Sequence, residues 1–169
     1  MKAFIVIDYQ FDFADPKGSL YVNGAETFKD DLIKTINQKK SEGYKIIFSK
    51  DGHTPDHVSF EEGPPHCVQN TDGAKLLIDE SLADHIILKG DLPDSDSYSI
   101  FYRGFQVESE LVDILKNDNI DELEICGLAL DVCVFATYKD AKDKGYKVKV
   151  LTDFSKPINQ NFVLEQDGN

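Results

Sequence analysis

Five short β-rich runs recur along this chain: Ala3–Ile7, Lys45–Ser49, Ile86–Leu88, Leu123–Cys126 and Val148–Leu151. They are near-continuous in Ile, Val, Leu and Phe rather than strictly alternating, which is the pattern of strands covered on both faces. Helical stretches separate several of them. In the first, Phe28, Leu32, Ile33 and Ile36 form one apolar stripe, and Gly43 is a natural stop. A second runs from about Ser109 to Lys116 with Leu111, Ile114 and Leu115 facing inward. A third starts near Asp131 and ends at Gly145, with Val132, Phe135, Ala136 and Ala141 on its buried side. Alternating strand and helix imply a three-layer α/β fold around a doubly wound, mainly parallel sheet. At 169 residues the expectation is one domain over 1–169, with a short tail from about 154.

Charge narrows the partners. A formal net charge of −13 repels phosphates, so neither nucleic acid nor an anionic membrane is an expected partner. The apolar run at the start, which ends in Asp8, is too short for a signal peptide or a membrane span and reads as a first strand. Cys67, Cys126 and Cys133 are odd in number and show no disulfide or zinc-framework spacing. A reducing, cytoplasmic compartment is therefore expected, in which a functional cysteine acts as a thiol.

The segments Gly52–Gly73 and Gly90–Gly104 are long, polar and rich in Gly, Pro, Asp and Ser. They follow the second and third strands directly, and open α/β sheets bind ligands at the carboxyl ends of their strands. Reactive residues gather at four of those ends. Asp8 ends the first strand, Asp51 and His53 follow the second, Lys89 ends the third, and Cys133 lies in the first turn of the helix after the fourth. Singly, each has an ordinary structural use: an Asp caps a turn, a Lys is solvated, a Cys packs. Together they make coherent chemistry. A thiol at a helix N-terminus near a lysine is expected to favour its thiolate, and a thiolate attacks an amide carbonyl well. Asp8 can accept the thiol proton and later pass it to the leaving ammonia, while Lys89 orients and balances the carboxylate. Backbone N–H groups of the Gly127–Cys133 turn would face the tetrahedral oxyanion.

A second cluster is Asp51-Gly52-His53, followed thirteen residues later by His66 in Gly-Pro-Pro-His-Cys. One Asp and two His suit one divalent ion, zinc first, with iron or manganese as alternatives, and leave positions open for water or substrate. Cys67, beside His66 and two prolines, reads as packing.

With these residues in hand, the chain resembles the isochorismatase-like hydrolase superfamily, and within it the nicotinamidase (pyrazinamidase) family. The carriers are I-V-I-D-Y-Q-F-D-F (5–13), D-G-H-T-P-D-H-V-S-F (51–60), P-P-H-C-V (64–68) and K-G (89–90). They continue with D-S-Y-S-I-F (96–101), G-L-A-L-D-V-C-V (127–134) and T-x-x-D-A (137–141). The resemblance implies hydrolysis of nicotinamide to nicotinate and ammonia, in NAD salvage, by a triad of Cys133, Asp8 and Lys89. It implies a cis peptide near Leu128–Ala129, with the Ala129 and Cys133 N–H groups as oxyanion hole. It places the metal on Asp51, His53 and His66, holding the pyridine nitrogen, with Phe13 and Tyr98 flanking the ring. His57 is left out of the ligand set, because the D-H-V-S-F form looks like members in which waters complete the shell.

Two departures stand out. Members commonly carry a Trp where this chain has Gly63, so one wall of the pocket is expected to be open. After Asp153 the family continues with a helix and a last strand, whereas Phe154–Asn169 is short and polar. Either an edge element is missing or a partner subunit covers that edge in a homo-oligomer. The competing readings are an amidase of the same superfamily acting on a carbamoyl or ureido substrate, which would lack the D-x-H…H cluster, and an inactive metal-binding α/β module, which would not keep the whole triad.

Overall fold

The computed structural model describes residues 1–166. Five strands make one parallel sheet: β1 (Lys2–Ile7), β2 (Lys45–Asp51), β3 (His85–Lys89), β6 (Glu122–Leu128) and β7 (Lys147–Lys156), in the order β3-β2-β1-β6-β7. A short antiparallel ribbon, β4 (Tyr102–Gly104) with β5 (Val107–Glu108), forms a separate two-stranded sheet. The helices are α1 (Phe11–Ala14), α2 (Lys29–Ser41), α3 (Leu111–Asn117) and α4 (Phe135–Asp143).

The strands are apolar throughout because each of their two faces has its own core. Side chains alternate across a strand. Ala3, Ile5 and Ile7 of β1 point to the layer that holds Leu111 and Leu115 of α3 and Tyr138 and Ala141 of α4. Phe4 and Val6 point the other way, toward Phe28 and the Leu32 and Ile36 stripe of α2. Asp30 and Asp31 in the first turn of α2, and Lys39 and Lys40 in its last, complement the helix dipole. Gly43 follows α2 at φ 90° and turns the chain into β2.

Topology then places the site. From β1 the chain builds outward through β2 to β3, then crosses to the other side of β1 to lay down β6 and β7. The strand order reverses between β1 and β6, and the crevice at their carboxyl ends is where such sheets hold ligands. Asp8 leaves β1 there, and the turn carrying Cys133 leaves β6 there.

Four sequence expectations are refined in detail. Cys133 lies in the first turn of the helical segment after β6, as expected, but that turn, Leu130–Val134, is π-helical and runs directly into α4. The segment 90–104 is not wholly loop, because β4 closes against the end of β3, where Gly90 N–H donates to Arg103 O at 2.8 Å. The fifth strand runs past Leu151 to Lys156, since a bulge after the Ile125↔Val150 pair lets Ser155 re-pair with Gly127. Within the described residues the tail is not simply polar, either. Phe162 and Leu164 pack on the core, and the Gln166 amide bonds both the N–H (2.8 Å) and the carbonyl (3.0 Å) of Val150, filling a gap along the β7 edge. Residues 167–169 of that tail lie outside the described residues. Among the described residues, no helix is long and apolar enough to cross a membrane.

Candidate active site

Asp8, the residue after β1, takes a left-handed backbone at φ 52°, a conformation that costs energy for any residue with a Cβ. It is held there by β2: its N–H donates to Ser49 O (3.1 Å), and its Oδ1 accepts from Ser49 Oγ (2.7 Å). Ser49 is the polar member of an otherwise apolar buried run, Ile46–Ser49, and that break in the pattern was the available signal for its role. The bend aims the Asp8 carboxylate, fully buried, at the end of β3.

Lys89 ends β3 and is also fully buried. Its Nζ stands 2.6 Å from Asp51 Oδ1, 3.0 Å from Asp8 Oδ2, 3.0 Å from Ser97 O and 3.6 Å from Cys133 Sγ. The Asp8 contact is at ion-pair distance but not along a hydrogen-bonding line, so Asp8 Oδ2 keeps lone pairs to spare. Burial alone would depress the lysine; Asp51 and Asp8 outweigh it and raise its pKa well above the ordinary value, so it is an ammonium. Burial likewise pushes Asp8 up to about 6, against the pull of Lys89.

The expected thiolate is not what this environment favours. Burial raises the Cys133 thiol well above its usual value, Lys89 pulls it back only in part, and Asp8 and Asp51 push it further up. Two carboxylates against one ammonium leave the local field negative, so the proton stays on sulfur until a base removes it. Asp8, with its spare lone pairs, is the nearby group suited to that. The cis peptide lies at Leu128–Ala129, at the entry to the Cys133 turn.

Asp51, His53 and His66 converge with their candidate ligand atoms all within 4.8 Å of one another. His53 is buried against Gly90, whose backbone (φ 66°) leaves no room for a Cβ, which would stand 2.6 Å from the imidazole. His53 Nδ1 donates to Gly90 O at 2.7 Å, which leaves Nε2 with its lone pair, buried and, among the described residues, without a hydrogen-bond partner. His66 Nδ1 donates to Pro64 O at 3.0 Å, and its Nε2 is freed in the same way. Burial lowers His53 to about 4, the neutral form a metal requires. An orphaned buried nitrogen beside a carboxylate and a second free imidazole nitrogen fits a divalent ion of the zinc type.

His57 is different, although its atoms also lie with those of His53 and Asp96. Its Nε2 reaches Ser95 O (3.0 Å), which can only accept, and its Nδ1 accepts from Ser59 N–H (3.2 Å). Both nitrogens are engaged. Cys67 is buried, with Sγ 3.9 Å from Gly73 O, and packs as expected.

A cavity of about 730 Å³ opens over this floor, lined by Phe13, Asp51, His66, Tyr98, Ala129 and Cys133 among others. The candidate nucleophile, two of the three candidate metal ligands (Asp51 and His66) and the aromatic walls thus share one chamber, while His53 is fully buried outside its lining. The Phe13 and His66 rings lie 5.7 Å apart, while Tyr98 is 55% exposed at the rim. Gly63 also lines the cavity, and a Cβ there would find nothing nearer than Ser59 O at 3.9 Å. The wall is open on that side.

A doubly wound sheet whose switch point holds Asp, Lys and Cys beside an Asp-His-His cluster defines a class of α/β hydrolytic enzymes. The chain belongs to the isochorismatase family, whose domain model matches residues 2–162. Nicotinamidase from Escherichia coli (strain K12) is 35% identical over 94% of this chain and 84% of its own length. The crystal structure of pyrazinamidase of Pyrococcus horikoshii in complex with zinc superposes with a TM-score of 0.86 at 36% identity, covering 94% of this chain and 87% of that one. The structure of PnC1 from L. infantum in complex with nicotinate gives 0.85 at 31% identity, covering 94% and 82%.

Proposed function

We propose that this chain is a nicotinamidase: it hydrolyses nicotinamide to nicotinate and ammonia, serving salvage of the pyridine ring for NAD. The observation that carries the reading is the single chamber in which Cys133, Asp51, His66, Phe13 and Tyr98 all present themselves, with Asp8 and Lys89 beneath. A superfamily amidase for carbamoyl or ureido substrates has no use for the orphaned His53 nitrogen beside Asp51 and His66, whereas a pyridine amide does.

Asp51, His53 and His66 would hold one divalent ion, zinc before iron or manganese. When bound, it supplies a Lewis-acidic anchor for the ring nitrogen of the substrate. The chain's own groups do the rest. Phe13 and Tyr98 flank the ring and set its height over Cys133. Asp8 Oδ2 takes the thiol proton as sulfur attacks the amide carbon, and a C–S bond forms. The Ala129 and Cys133 N–H groups face the oxyanion. Asp8 returns the proton to nitrogen, the C–N bond breaks, and ammonia leaves a thioester on Cys133. Asp8 then takes a proton from water as it attacks the thioester, and the proton passes to the departing sulfur as the C–S bond breaks, restoring the thiol and releasing nicotinic acid, which ionises to nicotinate in solution. Lys89 stays charged throughout and balances the carboxylates.

The three cysteines are free thiols, which supports a reducing, cytoplasmic setting. Chelation tests the reading. Removing the metal from purified protein should abolish ammonia release from nicotinamide, and adding zinc back should restore it. Full turnover by thoroughly metal-free protein would overturn the metal assignment.

A further inference from the structure

Alternate residues of the segment after β1 reach different parts of the site. Asp8 faces Lys89 and the cysteine. Gln10, fully buried, grips the peptide of the candidate ligand Asp51 from both sides: Nε2 donates to Asp51 O at 2.8 Å and Oε1 accepts from Asp51 N–H at 3.0 Å. Asp12, half-buried in α1, reaches the far end of the same loop, where its Oδ2 accepts the N–H of Cys67 at 2.8 Å.

Cys67 directly follows His66 and has φ 47°, a left-handed conformation that persists only when its surroundings impose it. A carboxylate-to-amide hydrogen bond is about twice as strong as a neutral one and is suited to imposing it. Asp12 is itself fixed. Its Oδ1 accepts from Ser19 N–H at 3.3 Å, and its carboxylate rests against Gly73, where a Cβ would stand 2.1 Å from Oδ2. The His66 ring sits among those of Phe13, His53 and Phe60 and is tethered through Nδ1 to Pro64 O. Cys67, whose backbone sets the direction of that side chain, is held at its N–H by Asp12 and at its carbonyl by His53 N–H (2.9 Å).

We propose that Asp12 is a positioning residue for the metal site: by holding the Cys67 amide it keeps His66 turned toward Asp51 and His53. The inference rests on the metal reading above. It predicts that Asp12 controls metal affinity rather than the chemical step, and that displacing its carboxylate acts like deleting it.

The test is titration of metal-stripped protein with zinc in competition with a chelator, with circular dichroism as a fold check and turnover measured at low and at saturating zinc. Asp12→Ala should weaken zinc binding by about ten- to a hundredfold, and excess zinc should restore most of the turnover. Asp12→Asn keeps an acceptor oxygen and should lose less. Gly73→Ala leaves the carboxylate intact but pushes it aside, and should weaken zinc binding in the same direction; with Asp12→Asn it decides the matter if Asp12→Ala does not fold. Wild-type zinc affinity in folded Asp12→Ala and Gly73→Ala, or a loss of turnover that excess zinc does not repair, overturns the proposal. A wild-type chain that binds no zinc at all sinks the metal reading on which it rests.

Discussion

Lys89 Nζ lies closer to Asp51 Oδ1, at 2.6 Å, than to Asp8 Oδ2, at 3.0 Å. The lysine therefore joins the two halves of the site: one carboxylate belongs to the proton-transfer trio, the other to the candidate metal cluster. Asp51 Oδ2 is the oxygen left on the metal side, 3.6 Å from His53 Nε2.

In metal-free protein, removing that ammonium leaves two buried carboxylates without a counter-charge. Breaking a buried charge set by deleting one partner costs about 3–5 kcal/mol. Lys89→Met should therefore lose both activity and stability at pH 8. The stability gap should narrow toward pH 5, as a carboxylate takes up a proton to replace the missing charge. Denaturant unfolding at the two pH values checks this, and wild-type stability at pH 8 would reduce Lys89 to a bystander.

Acid sensitivity of the rate follows from Asp8. Burial raises its pKa to about 6, so it is a base above that pH and a neutral acid below it. The sign is fixed: kcat/KM for nicotinamide should fall as pH drops through about 6. The profile must be taken at saturating metal, so that ligand protonation does not contribute. A rate that stays level down to pH 4.5 would remove Asp8 from the base role. Asp8→Asn should be nearly as inactive as a cysteine variant across the whole range.

Fold class, and the gathering of the candidate residues at the strand ends, were legible because they rest on local pattern. Short apolar runs rich in Ile, Val and Phe and bounded by turn residues fit strands covered on both faces, and Asp8, Asp51 and Lys89 sit within a residue of where such strands stop. What was not legible depends on neighbours distant in sequence. Nothing near Cys133 in the chain says that Asp8 and Asp51 will hold its proton in place, so the helix N-terminus and the nearby lysine pointed to a thiolate. Nor does the sequence around Val148 show that Gln166 will return to occupy the strand edge. Gln10 and Asp12 lay within a quoted motif, yet their partners are 41 and 55 residues away, and spacing carries no information about such bonds.

The ring pocket makes its own prediction. Tyr98 is a half-exposed wall, and an aromatic contact of that kind contributes about 0.5–1.5 kcal/mol beyond area burial. Tyr98→Ala should thus raise KM for nicotinamide about two- to tenfold with little change in kcat. Gly63 has space for a side chain and no left-handed φ, so Gly63→Trp should fold, close the open wall and lower KM. An aliphatic amide of similar length should gain nothing from the new wall. Equal gains for both amides would mean the chamber does not recognise a ring.

The central claim is that Cys133 in this chamber cleaves the amide of nicotinamide. The most direct measurement is ammonia release from nicotinamide by zinc-loaded protein, wild type beside Cys133→Ala, with nicotinate quantified in the same samples. The account predicts equimolar ammonia and nicotinate from wild type, and a rate at least about a thousandfold lower from a Cys133→Ala protein that folds normally. Zinc-loaded wild type that releases no ammonia from nicotinamide, or a cysteine variant that releases it as fast, would contradict the account.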